Sequence, residues 1–101
     1  MENTNLKIKL EIIFSSSLEE DFTEEFEKAG IGKFYTKIPN IMGSGYNNPH
    51  LGDNIWPQLN TMLIIYCNEE EAEKIKQIIF KLRKLYETEG IACFESQGTE
   101  I

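Results

Sequence analysis

The chain has 101 residues, a length that suits a single domain built around one hydrophobic core. Its 17 acidic residues outnumber 10 basic ones and give a formal charge of -7, so the protein repels the phosphates of DNA and RNA. Residues 1–5 lack the apolar region of a signal peptide, and no apolar run has the length of a membrane-spanning helix. These features exclude nucleic-acid binding and membrane insertion, and they predict a soluble, cytoplasmic protein.

The first part of the chain predicts a strand, a helix and a second strand. Residues 6–14 alternate between apolar and polar side chains, the pattern of a half-buried β-strand. Ser17 is followed three residues later by a glutamate, the spacing of a capping box, and the helix then runs to a C′ glycine at Gly30. Residues 32–38 predict the second strand, which should end at Pro39 because proline cannot donate to a strand ladder.

Residues 39–59 form a long segment with no sustained periodicity, rich in glycine, proline and asparagine. Loops longer than about 12–15 residues are uncommon in compact domains and are usually functional or disordered. A disordered linker would contain few large apolar residues. This segment contains Ile41, Met42, Tyr46, Leu51, Ile55 and Trp56. We therefore predict a functional loop.

The last part of the chain predicts a strand, a long helix and a final strand. Residues 60–67 are apolar and bounded by polar residues, as expected of a buried strand. Asn68 followed by three glutamates is a typical helix start, and we expect this helix to end near residues 87–89. A short strand over residues 91–95 and a flexible tail over residues 96–101 complete the chain.

This order of elements predicts an α+β fold, a ferredoxin-like βαββαβ sandwich. It has an antiparallel four-stranded sheet with two helices on one face, and residues 1–101 form a single domain. The third strand is apolar on both faces. One face carries Met62, Ile64 and Tyr66, and the other carries Leu63, Ile65 and Cys67. Because the chain has no further helix for the second face, we predict that another copy covers it in a closed homo-oligomer.

The topology and two glycine-containing segments resemble the PII signal-transduction family, in a divergent PII-like branch. Gly43, Ser44 and Gly45 lead out of the second strand as in that family's T-loop, and residues 89–94 resemble its B-loop. The resemblance implies a non-enzymatic homotrimer that binds a small effector in the clefts between subunits. In PII proteins the effector is an adenine nucleotide, ATP or ADP, and AMP is a further candidate here. The loop over residues 39–59 would act on a target protein such as a transporter or an enzyme.

The resemblance also assigns the candidate site residues. Lys37, Gly43, Ser44 and Gly45 would bind the ligand at the loop base, together with Glu89 and Gly90 from the facing turn. His50 and Trp56 would contact the ligand or the partner protein. The turn carries acidic residues and no lysine or arginine, so a triphosphate would meet an acidic neighbourhood.

Two alternatives remain open at this point. The first is a metal-binding trimer of the CutA type, an architecture related to PII, centred on His50 alone or with Asp53. The second is a purely structural interaction module, in which the apolar residues of the loop lock the assembly. An enzyme is not expected, because the chain has no catalytic triad, Cys-His pair or P-loop. Cys67 and Cys93 do not have metal-site or disulfide spacing and are expected to be small, buried apolar residues.

Overall fold

The order of elements expected from the sequence is the order observed. The structure is a computed structural model that describes residues 5–45, 51–53 and 58–101. The described residues form one antiparallel sheet of four strands in the order β2-β3-β1-β4, with two helices, and this is the predicted ferredoxin-like α+β fold. The elements are β1 (Leu6–Ser15), a 3-10 turn (Ser16–Leu18), α1 (Glu19–Ala29), β2 (Thr36–Ile41), β3 (Asn60–Cys67), α2 (Glu69–Leu85) and β4 (Ile91–Thr99).

The core lies between the helices and one face of the sheet. Alternate residues of the two central strands point into it, because side chains alternate between the faces of a strand. The stacked rings of Phe14 and Phe22 lie 4.2 Å apart, and the Phe26 ring meets Phe22 edge-on at 5.9 Å. The other buried apolar side chains of β1 and β3 are Leu10, Ile12, Leu63, Ile65 and Cys67.

Two of the four helix ends match the sequence signals. Gly30 ends α1 in the left-handed conformation with φ 67°, as predicted. The Asn68 side chain accepts a hydrogen bond from the Glu71 amide at 2.8 Å and caps α2, also as predicted. The capping box at Ser17 was wrong: this residue lies in the 3-10 turn, where its hydroxyl pairs with Ser15 at 3.0 Å. In addition, α2 ends at Leu85, slightly before the expected end.

The edge strand β2 differs from its prediction at both ends. It begins at Thr36, later than expected, and it continues beyond Pro39 to Ile41. Asn40 has φ 58°, and the pairing with β3 shifts register between Ile38 and Ile41. This irregularity is a bulge, and at a sheet edge it accommodates a proline that has no N–H to donate.

The last strand is longer than predicted. Residues 96–99 were expected to belong to a flexible tail, but they pair with the start of β1 as far as Leu6 opposite Thr99. The Glu100 amide also donates to the Asn5 carbonyl at 2.9 Å. The polar side chains of this stretch gave no strand signal. Its strand conformation comes from pairing with the fully extended β1.

The sheet face away from the helices has no cover within the described residues, and it carries an apolar patch beside the charged side chains Lys7, Lys9 and Glu11 of β1. The pairing registers place Ile38 beside Met62 and Ala92 beside Ile13, all on this open face. Ile64 also lies on it, and Phe94 is 62% exposed there. No helix in the described part of the chain is long and apolar enough to cross a membrane.

Two glycines with the same backbone conformation allow a controlled test of the packing beneath α1. Gly30 and Gly32 both have φ 67°, but a Cβ on Gly30 would meet nothing within 4 Å, whereas a Cβ on Gly32 would overlap the ring of Phe26. We expect Gly30→Ala to lower the free energy of unfolding by about 1–2 kcal/mol through backbone strain alone. Gly32→Ala should cost about 1–3 kcal/mol more through overpacking.

Urea unfolding of the two variants, at equal protomer concentration, measures the difference. Equal losses for both variants would show that the Phe26 ring moves aside without cost and would contradict this account of the core.

Candidate functional site

The loop that leaves β2 and returns to β3 has a narrow base. A Cβ on Gly43 would lie 2.5 Å from the amide nitrogen of the Asn60 side chain, so a larger residue at this position would require the Asn60 side chain to move. A Cβ on Gly45 would meet nothing within 4 Å. Neither glycine has a positive φ, so the absence of a side chain, rather than an unusual backbone conformation, distinguishes them. The predicted site residues 43–45 therefore lie in the described part of the loop, at its base.

A network of hydroxyl groups lies beneath this base and was missed by the sequence analysis. The Ser16 amide donates to the Leu59 carbonyl at 2.9 Å, and its hydroxyl pairs with Thr61 at 2.9 Å. Thr61 is 1% exposed and also donates to the Glu19 carboxylate at 3.4 Å. The network fixes the end of the loop and the start of β3 against the first turn of α1. The only sequence signal was the serine run, which was interpreted as a helix cap.

Lys37 of β2 also joins this network through Glu19. It pairs with Leu63 of β3, so its side chain lies on the helix face of the sheet, and its ammonium group donates to Glu19 at 3.3 Å. Both side chains are more than a third exposed. Exposed ion pairs contribute little free energy, so an anionic ligand can compete for this lysine.

The turn between α2 and β4 carries the other predicted site residues. The Glu89 amide donates to the Tyr86 carbonyl at 3.1 Å, and Gly90 follows just before β4. The Tyr86 hydroxyl donates to Asp21 at 2.7 Å, and this hydrogen bond raises the pKa of the tyrosine. Arg83 donates to the Ile91 carbonyl at 3.1 Å, which holds a guanidinium beside an otherwise acidic turn.

The loop base and this turn lie at the same end of the sheet but at opposite edges. Ile41 and Ser15 both pair with Asn60, and Phe14 pairs with Ile91, so all four strands are level at this end. The order β2-β3-β1-β4 separates the two edges by three strand spacings, about 14 Å. The two predicted halves of the site therefore do not touch within one subunit, and a ligand that contacts both must span this distance.

The opposite end of the sheet carries an aromatic groove on the open face. Its volume is about 570 Å³. Phe34 is 85% exposed and Tyr66 is 51% exposed, and a Cβ on Gly98 would lie 3.0 Å from the Tyr66 ring. Exposed aromatic faces beside a glycine can stack a planar base. The groove is lined by Lys7, Phe34, Tyr35, Thr36, Ile64, Tyr66, Gly98, Thr99 and Glu100. These residues are distant in sequence, so only the strand register brings them together.

The remaining candidates concern metals and thiols. His50 and Trp56 lie outside the described residues, and among residues 5–45, 51–53 and 58–101 no three histidine, cysteine, aspartate or glutamate side chains cluster as metal ligands. Burial raises the pKa of the Cys67 thiol to about 11 and also raises that of Cys93. Both cysteines are free; Cys67 is buried in the core as expected, whereas Cys93 is only partly buried against it. A thiol with a raised pKa is almost fully protonated at neutral pH and is therefore a poor nucleophile.

Several solved structures have the same fold. CPII, a nitrogen regulatory PII-like protein from Thiomonas intermedia K12 bound to ADP, AMP and bicarbonate, superimposes with a TM-score of 0.70. Its identity to this chain is 22%, over 94% of this chain and 90% of CPII. A PII-like signalling protein from Thermus thermophilus gives a TM-score of 0.67 at 22% identity, over 95% of this chain and 90% of that one. The apo form of CPII gives 0.60 at 20% identity, over 95% of both chains.

A search among curated protein sequences gave no match, whereas a comparison with family profiles supports this resemblance. The sequence profile described as nitrogen regulatory protein P-II matches residues 7–93, which include all but the first residue of β1, both helices, the loop between β2 and β3, and the start of β4. The chain therefore belongs to the nitrogen regulatory protein P-II family.

Proposed function

We propose that this protein is a non-enzymatic, cytoplasmic regulatory sensor. It assembles as a homotrimer, binds an adenine nucleotide in the clefts between subunits and acts on a partner protein through the loop over residues 39–59. Membership of the P-II family supports a regulatory role. The binding of ADP and AMP by CPII, which shares the fold, supports an adenine nucleotide as the effector.

The open face of the sheet supports the trimer. Ile38, Met62 and Ile64 form an apolar surface there that the described part of the chain leaves in contact with water. An exposed apolar surface of this kind typically marks an interaction site. Three copies whose open faces meet around an axis would bury it in a closed assembly.

A cyclic trimer also supplies the missing part of the nucleotide site. Its interfaces are heterologous, so one patch of a subunit meets a different patch of the next. We assign the loop base and the turn of one subunit to the sugar and phosphates, and the aromatic groove of the neighbouring subunit to the base. The groove offers Phe34, Tyr35 and Tyr66 for stacking.

In the proposed site, polar groups of the first subunit bind the phosphates of the nucleotide. Residues 43–45 offer backbone amides and the Ser44 hydroxyl with no side chain on either glycine to obstruct a ligand. Glu89 and Gly90 border the site from the turn, where Arg83 supplies a positive charge, and Lys37 can exchange Glu19 for a phosphate. The acidic residues of the turn oppose each added phosphate, so AMP and ADP fit this site better than ATP.

The loop over residues 39–59 is the proposed segment that contacts the partner protein and responds to the ligand. The end of the loop that enters β3 is held by the Ser16, Thr61 and Glu19 network, so a ligand at residues 43–45 would act on the segment that leads into the loop. His50 and Trp56 of this loop are proposed contacts to the partner protein, a transporter or an enzyme. Tryptophan is frequent among residues that dominate binding at interfaces.

The assembly is tested by introducing a charge on the open face. Ile38 lies on this face and is 41% exposed, whereas Phe80 is 54% exposed on the outside of α2. We expect wild type and Phe80→Glu to have the mass of three chains by native mass spectrometry. Ile38→Glu should have the mass of one chain, because a buried carboxylate at the interface lacks a partner. A trimeric Ile38→Glu variant or a monomeric wild type would contradict the proposed assembly.

The ligand is tested at the loop base by isothermal titration calorimetry with ADP and AMP. The Cβ of a residue at position 45 would meet no atom within 4 Å among the described residues beyond its chain neighbours, so we expect the effect of a valine to report on the ligand rather than on the fold. We expect Gly45→Val to weaken binding by at least about tenfold, the equivalent of about 1.4 kcal/mol.

The matched control is Gly30→Ala, whose Cβ also meets nothing and which lies at the other end of α1. This control should bind nucleotide as wild type does. Unchanged affinity of Gly45→Val would remove the loop base from the site, and absence of binding by wild type would overturn the nucleotide assignment.

A further inference from the structure

A side chain of α2 holds the connector between α1 and β2, residues 30–35. The Gly32 amide donates to the Glu71 carboxylate at 2.9 Å, although the two residues are 39 positions apart in sequence. Glu71 is the third residue after the Asn68 cap, a position from which a glutamate commonly returns to the amide of the cap residue. Here its backbone amide donates to the Asn68 side chain, while its carboxylate bonds the connector instead.

The connector has few contacts that fix its backbone. Its first two amides donate to carbonyls in the last turn of α1, and β2 begins at Thr36. Between these points the contact with Glu71 is, in the part of the chain that the structure describes, the only hydrogen bond outside the sheet ladder. Gly32 adopts φ 67°, and glycine has the widest choice of backbone conformations. The carboxylate therefore selects one path for the connector.

The connector carries two of the rings that line the aromatic groove. Phe34 is 85% exposed and Tyr35 is 56% exposed. Rings this exposed have little packing to fix them, so their position follows the backbone that leads to them. The groove also contains Tyr66, near the end of β3, and α2 starts directly after that strand. Glu71 in the first turn of α2 therefore lies at the groove end of the sheet.

We propose that Glu71 is a positioning residue for the nucleotide base and acts through Gly32. Its carboxylate orders the connector in the free subunit, so that Phe34 and Tyr35 already stand where the base stacks. A ligand that meets an ordered site loses no affinity to the ordering of that site. The inference rests on the proposed function, in which the groove receives the base. The competing explanation is that the contact only joins α2 to the connector and stabilises the fold.

Two substitutions at position 71 separate the hydrogen bond from the charge. Glu71→Ala removes the acceptor. Glu71→Gln removes the charge but keeps a side-chain oxygen that accepts from the Gly32 amide. The matched control is Glu70→Ala, because Glu70 shares the first turn of α2 and pairs with Lys74 of the same helix at 3.8 Å.

Hydrogen exchange of the nucleotide-free protein, followed by ¹⁵N NMR, tests the contact itself. We expect the Gly32 amide to exchange at least about tenfold faster in Glu71→Ala than in wild type, because its acceptor is lost. Glu71→Gln should keep most of the protection and Glu70→Ala all of it. The heteronuclear NOE of the Phe34 amide should fall in Glu71→Ala alone. Unchanged exchange of Gly32 in Glu71→Ala would overturn the proposal.

Calorimetry with ADP tests the role of the contact in binding. Glu71→Ala should weaken ADP by about three- to tenfold, because the rings must then be ordered on binding. Glu71→Gln should restore the affinity to within about twofold, and Glu70→Ala should bind as wild type does. In a Phe34→Ala background, Glu71→Ala should weaken ADP by less than about twofold further, since the ring that it positions is absent.

The outcomes separate the positioning role from the nucleotide site itself. Equal losses in the wild-type and Phe34→Ala backgrounds would show that Glu71 acts through general stability. That result would overturn the positioning role and leave the nucleotide site intact. No binding of ADP by wild type would overturn the nucleotide site and the positioning role with it, even where the exchange of Gly32 changes as expected.

Discussion

The pairing of β2 with β3 at the edge of the sheet is the constraint on which the functional surfaces depend. This ladder is short and interrupted by a bulge after Ile38, yet it positions the loop base at one end and the aromatic groove at the other. Because an edge strand has only one neighbour, it tolerates Pro39 and an inward-facing Lys37 that a central strand would reject. These exceptions leave space beside the core and expose the strand that leads into the loop.

The second consequence of this architecture, under the proposed function, is a nucleotide site that one subunit supplies only in part. The helices cover one face of the sheet, and the apolar open face and aromatic groove lie on the other. The loop base and the turn before β4 share one end of the sheet, while the groove lies at the opposite end. A cyclic assembly brings such different patches together, so association of subunits and formation of the ligand site become one event.

The hydrophobic periodicity of the sequence predicted much of the secondary structure. It did not predict much of the candidate site. The strand over residues 60–67 and the cap at Asn68 matched the structure because burial and capping are local patterns. Residues 96–99 became strand through pairing with β1, which their polar side chains could not indicate. The glycines of the loop base were visible in the sequence. The hydroxyl network and the aromatic groove were not, since their members are separated by dozens of residues and meet only through strand register.

The central claim, that each nucleotide site uses the loop end of one subunit and the aromatic groove of the next, is tested most directly with mixed trimers. Gly45→Val impairs the loop base and Tyr66→Asp impairs the groove, so at an ADP concentration near the wild-type dissociation constant we expect little binding by either variant alone. If the claim holds, unfolding and refolding an equal mixture restores binding in about a quarter of the clefts. A mixture of Gly45→Val with Gly90→Val, both at the loop end, restores none. No recovery in the first mixture, or recovery in the second, would contradict the claim.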